Sequence, residues 1–455
     1  MIRQEKGLTL VELMITVVVF LFAITAASQI FTSLLTQFKQ QSKIGESNIE
    51  GVVGLDILRR DIQHAGYGLP WNARNATGQI GWDKVPNYCE AVSGGTPNPA
   101  DFNDGAAACA VAGGGKAPRP AAGRNNASFS GANDIFDGSD YLVIKSLNVS
   151  TNFAAGKWQR LNRDASGNLV KQWWTSTAEY ICRDEKNPNA SHYSWARVIV
   201  VAPGTNTADL RTLVVSNDSF SPCADVGCGV SVDLTNFVPT TTQDTWIEYG
   251  VHGETDAAKV GVDLRMPFNR ADYFIRRYDS GGNNITPSRC APNTGVLEKV
   301  VLNHNGGTQT NFLPLLDCVA DMQVVYGLDM SLPDPDGVMG TFTDGDVLAP
   351  YVVDTGFGAS EGATPQSVKD TLLNAPELRS RLKEIRVYIL AHEGTYDRDY
   401  TFDNFTAGGT SVLVGDLTLD SHLFRAFDLT KIDPKYYKNY RWKLYTLVVP
   451  TTNLR

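Results

Sequence analysis

The sequence predicts an α+β protein in which a long N-terminal helix, transmembrane and then amphipathic, packs on a C-terminal antiparallel β-sheet head with large loop insertions. Three observations predict this fold. Residues 8–28 are almost entirely apolar, apolar residues continue at helical spacing to residue 64, and short β-type runs recur from residue 136 onward. The chain therefore divides into a charged N-terminal segment, residues 1–7, the helix, residues 8–64, an irregular inserted region, residues 65–135, and the β-rich head, residues 136–455.

The first part of the helix, residues 8–28, is long enough to cross a bilayer. It contains no proline, no glycine and one charge, Glu12. About 20 apolar residues span the hydrocarbon core, and Arg3 and Lys6 ahead of them favour a cytoplasmic N-terminus. We therefore predict a single membrane crossing, with the head on the side away from the cytoplasm.

Glu12 is out of place in this segment, because a carboxylate there costs roughly 2.5–3.5 kcal/mol even on permissive insertion scales. A cut between Gly7 and Leu8 would create an α-amine at Leu8, four residues from Glu12 on the same helical face. Glu12 could pair with that amine or with the amine of a neighbouring copy in a bundle. An ordinary secretory signal is cut after its apolar stretch, whereas this cut would leave the helix on the mature protein. The simpler alternative is an uncleaved signal anchor.

The run Gly7-Leu8-Thr9-Leu10-Val11-Glu12-Leu13 resembles the cleavage and methylation signal of type IV prepilins. The resemblance implies that a prepilin peptidase cuts after Gly7 and N-methylates Leu8, and that Glu12 is the assembly glutamate. The family usually has Phe at the position of Leu8. Residues 58–67 are similar to the helix end of PilW-type minor pilins, and residues 315–329, 382–393 and 440–449 are similar to their C-terminal sheet.

This resemblance implies a pilin-like fold and a minor pilin that primes or caps a type IV pilus of a Gram-negative bacterium. Its partners would be other major and minor pilins, the prepilin peptidase and the inner-membrane assembly platform. It would wait in the inner membrane with a periplasmic head and then move to the pilus at the cell surface. Two alternatives stay open: a type II secretion pseudopilin, and a membrane-anchored extracellular adhesin or binding head.

The second part of the helix should lie on the head. Ile30, Phe31 and Phe38 belong to an apolar stripe that continues to Leu58, so we expect this outer half to pack its stripe on a sheet. At 1.5 Å per residue, a helix over residues 8–64 is about 85 Å long. Glycines at 45, 51 and 54 weaken it by about 1 kcal/mol each and predict a soft or kinked section. Gly66, Gly68 and Pro70 end it.

Residues 65–135 have few apolar runs and predict an inserted surface region. The glycine triplet at 113–115 is a loop, because no Gly-Lys-Ser/Thr follows it. Short helices are predicted at residues 367–374 and 377–383. Strands are predicted at residues 141–144, 198–201, 213–215, 246–249, 273–278, 297–302, 322–326, 385–390 and 442–449.

Seven cysteines lie outside the membrane segment. In an exported head they are expected to form disulfides. Plausible pairs by proximity in sequence are Cys89 with Cys109, Cys223 with Cys228, and Cys290 with Cys318, although spacing does not fix the connectivity. The odd number leaves one thiol free or paired between chains, and Cys182 is our choice. Zinc is disfavoured because the sequence has no Cys-x-x-Cys or His-x₃-His.

One acidic loop, with Asp334, Asp336, Asp344 and Asp346, carries the oxygen ligands that calcium prefers. It does not fit an EF-hand frame, in which Leu332 and Thr343 would occupy the first and twelfth positions. The two interpretations are a different calcium cage and an ordinary polar hairpin turn. No other cofactor is predicted.

No catalytic motif is present, and the six histidines at 64, 192, 252, 304, 392 and 422 are scattered, so we do not expect an enzyme. A net charge of −9 without a basic block argues against nucleic acid as a partner. Strand alternation places Tyr440 and Trp442 on one face, where a core explains them. Trp173 and Trp174 cannot share a face, so one of them could be exposed to a partner.

Overall fold

The computed structural model describes residues 9–454 with internal gaps, and for residues 47, 48, 351 and 352 it describes the backbone only. The residues within that range that it does not describe are 76, 86, 94–97, 107–108, 110–114, 128–137, 173–195, 204–210, 225–233, 254–263, 280, 330–350, 353–371, 407–408 and 416–423.

A long helix and strand-rich layers make up the described chain. The helices are α1 (Leu10–Gln63) and α2 (Ala375–Arg381). The described strands, in chain order, are β1 (Asn72–Arg74), β2 (Ala121–Arg124), β3 (Tyr141–Ser146), β4 (Trp158–Arg163), β5 (Leu169–Gln172), β6 (Arg197–Ala202), β7 (Thr212–Val214), β8 (Trp246–His252), β9 (Asn269–Arg276), β10 (Gly295–Leu302), β11 (Gln309–Leu328), β12 (Tyr351–Val352), β13 (Leu382–Glu393), β14 (Ser411–Gly415), β15 (Phe424–Asp428) and β16 (Arg441–Pro450).

The largest sheet supports the helix. Its strands run in the order β16-β13-β11-β10-β9-β3-β2, with β12 paired to β11, and the described pairs are antiparallel. The end of α1 packs on β11, β13, β16 and β3. Leu58 and Ile62 of the helix are fully buried there in one apolar core with side chains such as Val387. A sheet that buries one face against a helix is the expected α+β layering.

A second sheet has the order β1-β7-β6-β8-β4-β5, in which β1 pairs with β7 in parallel. Both faces of β6 are buried: Ile199 and Val201 face one apolar cluster, and Val198 and Val200 face another. This burial explains why the strand is a continuous apolar run in sequence. Strands β14 and β15 form a separate hairpin.

Residues 65–127 are partly interior rather than only a surface region. Tyr88, Cys89 and Phe102 are fully buried. A cluster of ionic side chains, each at most 6% exposed, joins this segment to β3 and β9. It comprises three cations and three carboxylates: Arg119, Lys145, Arg270, Glu90, Asp104 and Asp272.

The geometry of this ionic cluster balances its charges. Lys145 Nζ lies 2.8 Å from Glu90 Oε2 and 2.6 Å from Asp104 Oδ2. The guanidinium of Arg270 binds Asp272 at 2.8 Å and Glu90 at 3.2 Å. Because each buried charge has opposite partners, the desolvation cost is offset, and loss of one member would leave another uncompensated.

The α+β prediction is confirmed: a long apolar helix precedes a β-rich region with antiparallel sheets and large loops. Strand β11 is much longer than the predicted run at 322–326. Its first half contains Pro314, and both Asn311 and Cys318 have positive φ, which interrupts the regular pattern that sequence reading depends on. Tyr440 and Trp442 share a buried cluster, as alternation predicts.

Candidate functional site: the N-terminal helix and its contact with the head

The helix begins with a capping box. Glu12 N–H donates to Thr9 Oγ1 at 3.3 Å, and Thr9 N–H donates back to Glu12 Oε2 at 3.1 Å. The Thr9 hydroxyl also donates to that carboxylate oxygen at 3.1 Å. The pair satisfies two backbone donors of the first turn and sets a negative charge at the positive end of the helix dipole.

This geometry gives Glu12 a role within its own chain. Gly7 and Leu8, the predicted cleavage and methylation residues, lie outside the described residues. Glu12 is exposed, and its carboxylate reaches the backbone at Thr9, the residue that follows Leu8. The Thr-x-x-Glu spacing is the sequence signal of this capping box, and the predicted α-amine partner of Glu12 does not account for it.

Among the described residues, α1 is the one helix long and apolar enough to cross a membrane. Its apolar N-terminal part is not covered by the described part of the head: side chains from Leu10 to Ile24 such as Phe22 are exposed. A segment of this composition needs an apolar surrounding outside the chain.

The exposed apolar stripe extends beyond the predicted membrane segment. Ile30, Phe31, Leu34, Leu35 and Phe38 are all exposed, Phe38 by 70%. The opposite, polar side of the helix faces the head across an open cleft of about 740 Å³. This cleft is lined by Gln29, Thr32, Ser33, Thr36, Gln37, Gln40, Gln41, Ile44, Asp397, Asp399, Tyr400 and Arg441.

The prediction that the whole outer half lies on a sheet is therefore correct only near its end. Burial begins at Gly51, and even beyond it Val52 and Val53 point away from the head. The physical reason is that the helix has two apolar faces here. One carries Leu55, Leu58 and Ile62 to the sheet, and the other stays uncovered.

Gly54 marks the closest approach of the helix to the sheet. A Cβ at this position would lie 1.7 Å from the carbonyl oxygen of Leu315. A Cβ at Gly51 would lie 3.0 Å from Leu316 Cδ1, whereas one at Gly45 would meet nothing within 4 Å. The glycines at 51 and 54 thus serve close packing, which is a different role from the soft section predicted.

A buried ion pair fixes the end of α1. Asp61 Oδ2 accepts from Lys299 Nζ on β10 at 2.5 Å and from the Tyr273 hydroxyl on β9. Burial raises the pKa of Asp61, and the neighbouring ammonium of Lys299 opposes that rise. The sequence contained no signal for this contact, since Asp61 and Lys299 are 238 positions apart.

Where the helix leaves the head, a second ion cluster holds it. Arg289 Nη2 donates to Glu50 Oε2 at 2.6 Å and to Asp317 Oδ2 at 2.8 Å. Arg289 and Asp317 are the sequence neighbours of Cys290 and Cys318, which form a disulfide with a Cα–Cα distance of 4.9 Å. The disulfide therefore holds Arg289, which binds the helix through Glu50, beside Asp317, which accepts a second hydrogen bond from the same guanidinium group.

Two of the predicted disulfide pairs are present, Cys89 with Cys109 and Cys290 with Cys318. Cys223 is disulfide-bonded as well, while its predicted partner Cys228 and the predicted odd residue Cys182 lie outside the described residues. The sulfurs of Cys290 and Cys318 lie within 4.8 Å of a nitrogen of His392. Because both sulfurs are bonded to each other, this group is not a thiolate metal site.

The predicted calcium ligands Asp334, Asp336, Asp344 and Asp346 also lie outside the described residues, as do Trp173 and Trp174. The buried His392 accepts the Ala291 N–H at Nε2, and burial lowers its pKa to about 3. His304 is buried as well, and its pKa is lowered by the same cause. Both are structural side chains in the described chain.

The comparison with known families gives one match. Residues 2–28 match the family model described as the prokaryotic N-terminal methylation motif. No curated protein and no solved structure matches the chain. The motif covers the capped helix start and the exposed apolar segment, and it supports a type IV pilin-like or pseudopilin-like protein. It implies processing by a prepilin peptidase and assembly with other pilins, and it is consistent with membrane anchoring.

Proposed function

We propose that this chain is a PilW-type minor pilin, a structural subunit and not an enzyme, which joins a type IV pilus and primes or caps it. It is processed after Gly7 and N-methylated at Leu8. Before assembly it is a single-pass inner-membrane protein with a periplasmic head, and afterwards it lies on the cell surface in the pilus.

The observation that carries this proposal is the uncovered apolar stripe of α1. Apolar side chains are exposed along the helix from Leu10 to Phe38 and again at Ile49, Val52 and Val53. A membrane covers about 20 residues of a helix, so the stripe is longer than a bilayer accounts for. Burial of apolar surface contributes roughly 25 cal/mol per Å², and helices of other subunits would supply that burial in a filament.

Glu12 supports the same reading. In a bundle without lipid its carboxylate would lie in an apolar core, where a charged partner is needed. The processed amine of Leu8 on the same or a neighbouring chain would supply one. The cap contacts with Thr9 then hold the carboxylate at the helix start, beside the new terminus.

A type II secretion pseudopilin would use the same helix and processing, and an anchored adhesin would use the helix only as a tether. Mass spectrometry of the N-terminal peptide from sheared surface filaments separates these functions. A peptide that begins at N-methylated Leu8 is expected in the filaments. Retention of Met1 in membranes, with no protein in filaments, would exclude the pilin proposal.

Replacement of Glu12 tests the assembly role directly. Glu12→Ala is expected to leave cleavage after Gly7 intact and to abolish incorporation into filaments, because the apolar bundle loses the charge that pairs with the Leu8 amine. The measurement is the mature mass of the membrane-extracted protein together with its amount in sheared filaments. Gly7→Trp is the processing control, for which the uncleaved mass is expected. Normal filament levels of Glu12→Ala would rule out the carboxylate's role.

A further inference from the structure

Three side chains with hydrogen-bond donors meet between the end of α1 and the start of the second sheet. The contacts of α1 described above do not include them. Trp71 and Arg211 directly precede the paired strands β1 and β7, and the Trp71 N–H donates to the Arg211 carbonyl at 2.9 Å. The guanidinium carbon of Arg211 lies 5.2 Å from the centre of the Trp71 ring. Arg379 of α2 lies over the same ring at 3.9 Å.

These groups carry donors without acceptors. Arg211 Nη1 and Trp71 Nε1 are both buried, and neither has a hydrogen-bond partner among the described residues. In the part of the chain that the structure describes, no carboxylate pairs with Arg211 or Arg379. Burial and the nearby charge of Arg211 lower the pKa of Arg379 to about 10. Two partly buried cations therefore lie near enough to repel each other beside one indole ring.

This arrangement contrasts with two other closely stacked arginines, Arg276 and Arg441. Arg276 lies 3.9 Å from the centre of the Phe312 ring, and its guanidinium also binds Glu298. Arg441 lies 4.1 Å from the Tyr400 ring and binds Asp397 at 2.7 Å. Stacking on a ring satisfies the face of a guanidinium but accepts none of its in-plane hydrogen bonds. Each of these two arginines has a carboxylate in that plane, and the pair at Trp71 does not.

The backbone at Arg211 adds a further observation. Arg211 adopts φ +58°, a left-handed conformation that is uncommon for residues other than glycine. Its carbonyl is fixed by the Trp71 N–H, so the conformation is set by strand pairing. The result is that Arg211 presents its side chain to Trp71 and to Arg379 on the neighbouring element.

We propose that Trp71, Arg211 and Arg379 form a binding site for an oxyanion, a carboxylate or phosphate group, held between the two guanidinium groups with the indole N–H as a third donor. Such a group supplies only acceptors and a negative charge, which is what the cluster lacks. Water would satisfy the donors but would leave the two positive charges uncompensated. The binding itself does not rest on the proposed function.

The test is thermal unfolding of the processed full-length protein in detergent, in sodium phosphate, sodium acetate and sodium chloride at equal ionic strength. Phosphate and acetate are expected to raise the Tm above its value in chloride, since a ligand of the folded state stabilises it by mass action. Arg379→Gln is expected to raise the anion concentration that is needed for a given rise in Tm at least about tenfold. In chloride, the same variant is expected to have an unchanged or higher Tm, because a repulsion is removed.

Two further variants complete the experiment. Arg211→Asn keeps a residue that tolerates positive φ and should likewise lose the anion effect. Arg276→Gln removes an arginine stacked at the same 3.9 Å distance but paired with Glu298, and it should keep the effect. If the wild type shows no anion-dependent rise, or if the rise survives both Arg379→Gln and Arg211→Asn, the proposal is overturned.

The oxyanion could be a free ligand or an acidic side chain of a neighbouring subunit, and filament content distinguishes the two. This arm alone rests on the proposed function. If Arg379→Gln loses the anion effect but enters filaments normally, the site holds a free ligand. If the variant loses both, the site holds an acidic group of another subunit. Both outcomes support an oxyanion site and differ only in its source.

Discussion

At the scale of single residues, the stability of the described head depends on buried carboxylates. Asp321 is fully buried, with Arg425 Nε 3.3 Å from its Oδ2 and the Gln323 amide at 3.3 Å. Asp140 lies near enough to repel it, and accepts the N–H groups of Val324 and Asn126. Burial is the main cause that raises the pKa of Asp321 to about 7, against the opposing charge of Arg425.

The raised pKa makes the stability of the head depend on pH through this residue. Because the folded-state pKa lies above the ordinary 3.8, the stability contributed by protonated Asp321 is full below about pH 4 and is lost as the pH rises to about 7. Relative to wild type, Asp321→Asn should become more stable as pH rises over this interval, by up to about 1.4 kcal/mol per pH unit. Urea unfolding at pH 4, 5, 6 and 7 measures the difference.

A matched control is available at Asp164. This exposed carboxylate accepts hydrogen bonds from the side chain and backbone of Asn168, which lower its pKa. Because its pKa lies below the ordinary 3.8, Asp164→Asn should show little change relative to wild type between pH 4 and pH 7. A flat difference for Asp321→Asn would contradict the titration assigned to it. His304 and His392 titrate in every variant, so their effect cancels from the comparison.

Residue-scale contacts were the least predictable from sequence. The cysteine pairs could be suggested because the partners are near in sequence, as with Cys89 and Cys109. Asp61 with Lys299, and Trp71 with Arg379, meet only because the sheets bring distant segments together. A lysine or arginine with a buried partner is indistinguishable in sequence from one on the surface. Such contacts depend on topology, which local pattern does not encode.

At the scale of elements, the decisive contact is α1 against β11. The helix approaches the strand so closely that a side chain at Gly54 would overlap the main chain of Leu315. Strands and helix were predictable as elements because their periodicities differ. The short distance between helix and strand was not predictable, since the same glycines also fit a flexible segment.

Replacement of two helical glycines by alanine separates these roles. Gly54→Ala is expected to lower the free energy of unfolding by about 1–3 kcal/mol, because the new Cβ would lie 1.7 Å from a carbonyl oxygen and must displace backbone. Gly45→Ala should raise it by about 0.5–1 kcal/mol, because the position is open and alanine is the better helix former. Urea unfolding of the processed protein in detergent measures both. Equal effects of the two changes would refute the close-packing role of Gly54.

At the scale of the whole molecule, the helix has two partners of different kinds. The part near Gln63 belongs to the head, and the part from Leu10 to Phe38 is left for surroundings outside the chain. Sequence predicted the membrane-spanning stretch because composition alone determines it. It did not predict that polar side chains such as Thr36 would face the head while Phe38 faces away. The face that meets the head depends on how the helix is oriented where Gly54 contacts the sheet.

The double change Phe31→Gln and Phe38→Gln tests the outward face. Both rings are exposed, by 62% and 70%, so the Tm of the head should not change. Incorporation into sheared filaments is expected to fall severely, because polar groups would then be buried between helices without partners. The control is Thr36→Ala with Gln40→Ala on the face toward the cleft, which should enter filaments normally. Equal incorporation of both double variants would show that the outward face is not used.

The meeting of α1 with late strands has a consequence for biosynthesis. Asp61 binds Lys299, 238 positions on, and the Gln63 carbonyl accepts from the Thr452 hydroxyl, 389 positions on. The helix leaves the ribosome long before either partner exists. Contacts of such high sequence separation form slowly, so the head cannot close on its helix until almost the whole chain has been synthesised. In the proposed function, the membrane segment would tether an incomplete head throughout that interval, and Leu58 and Ile62 would be exposed to chaperones and proteases in the periplasm.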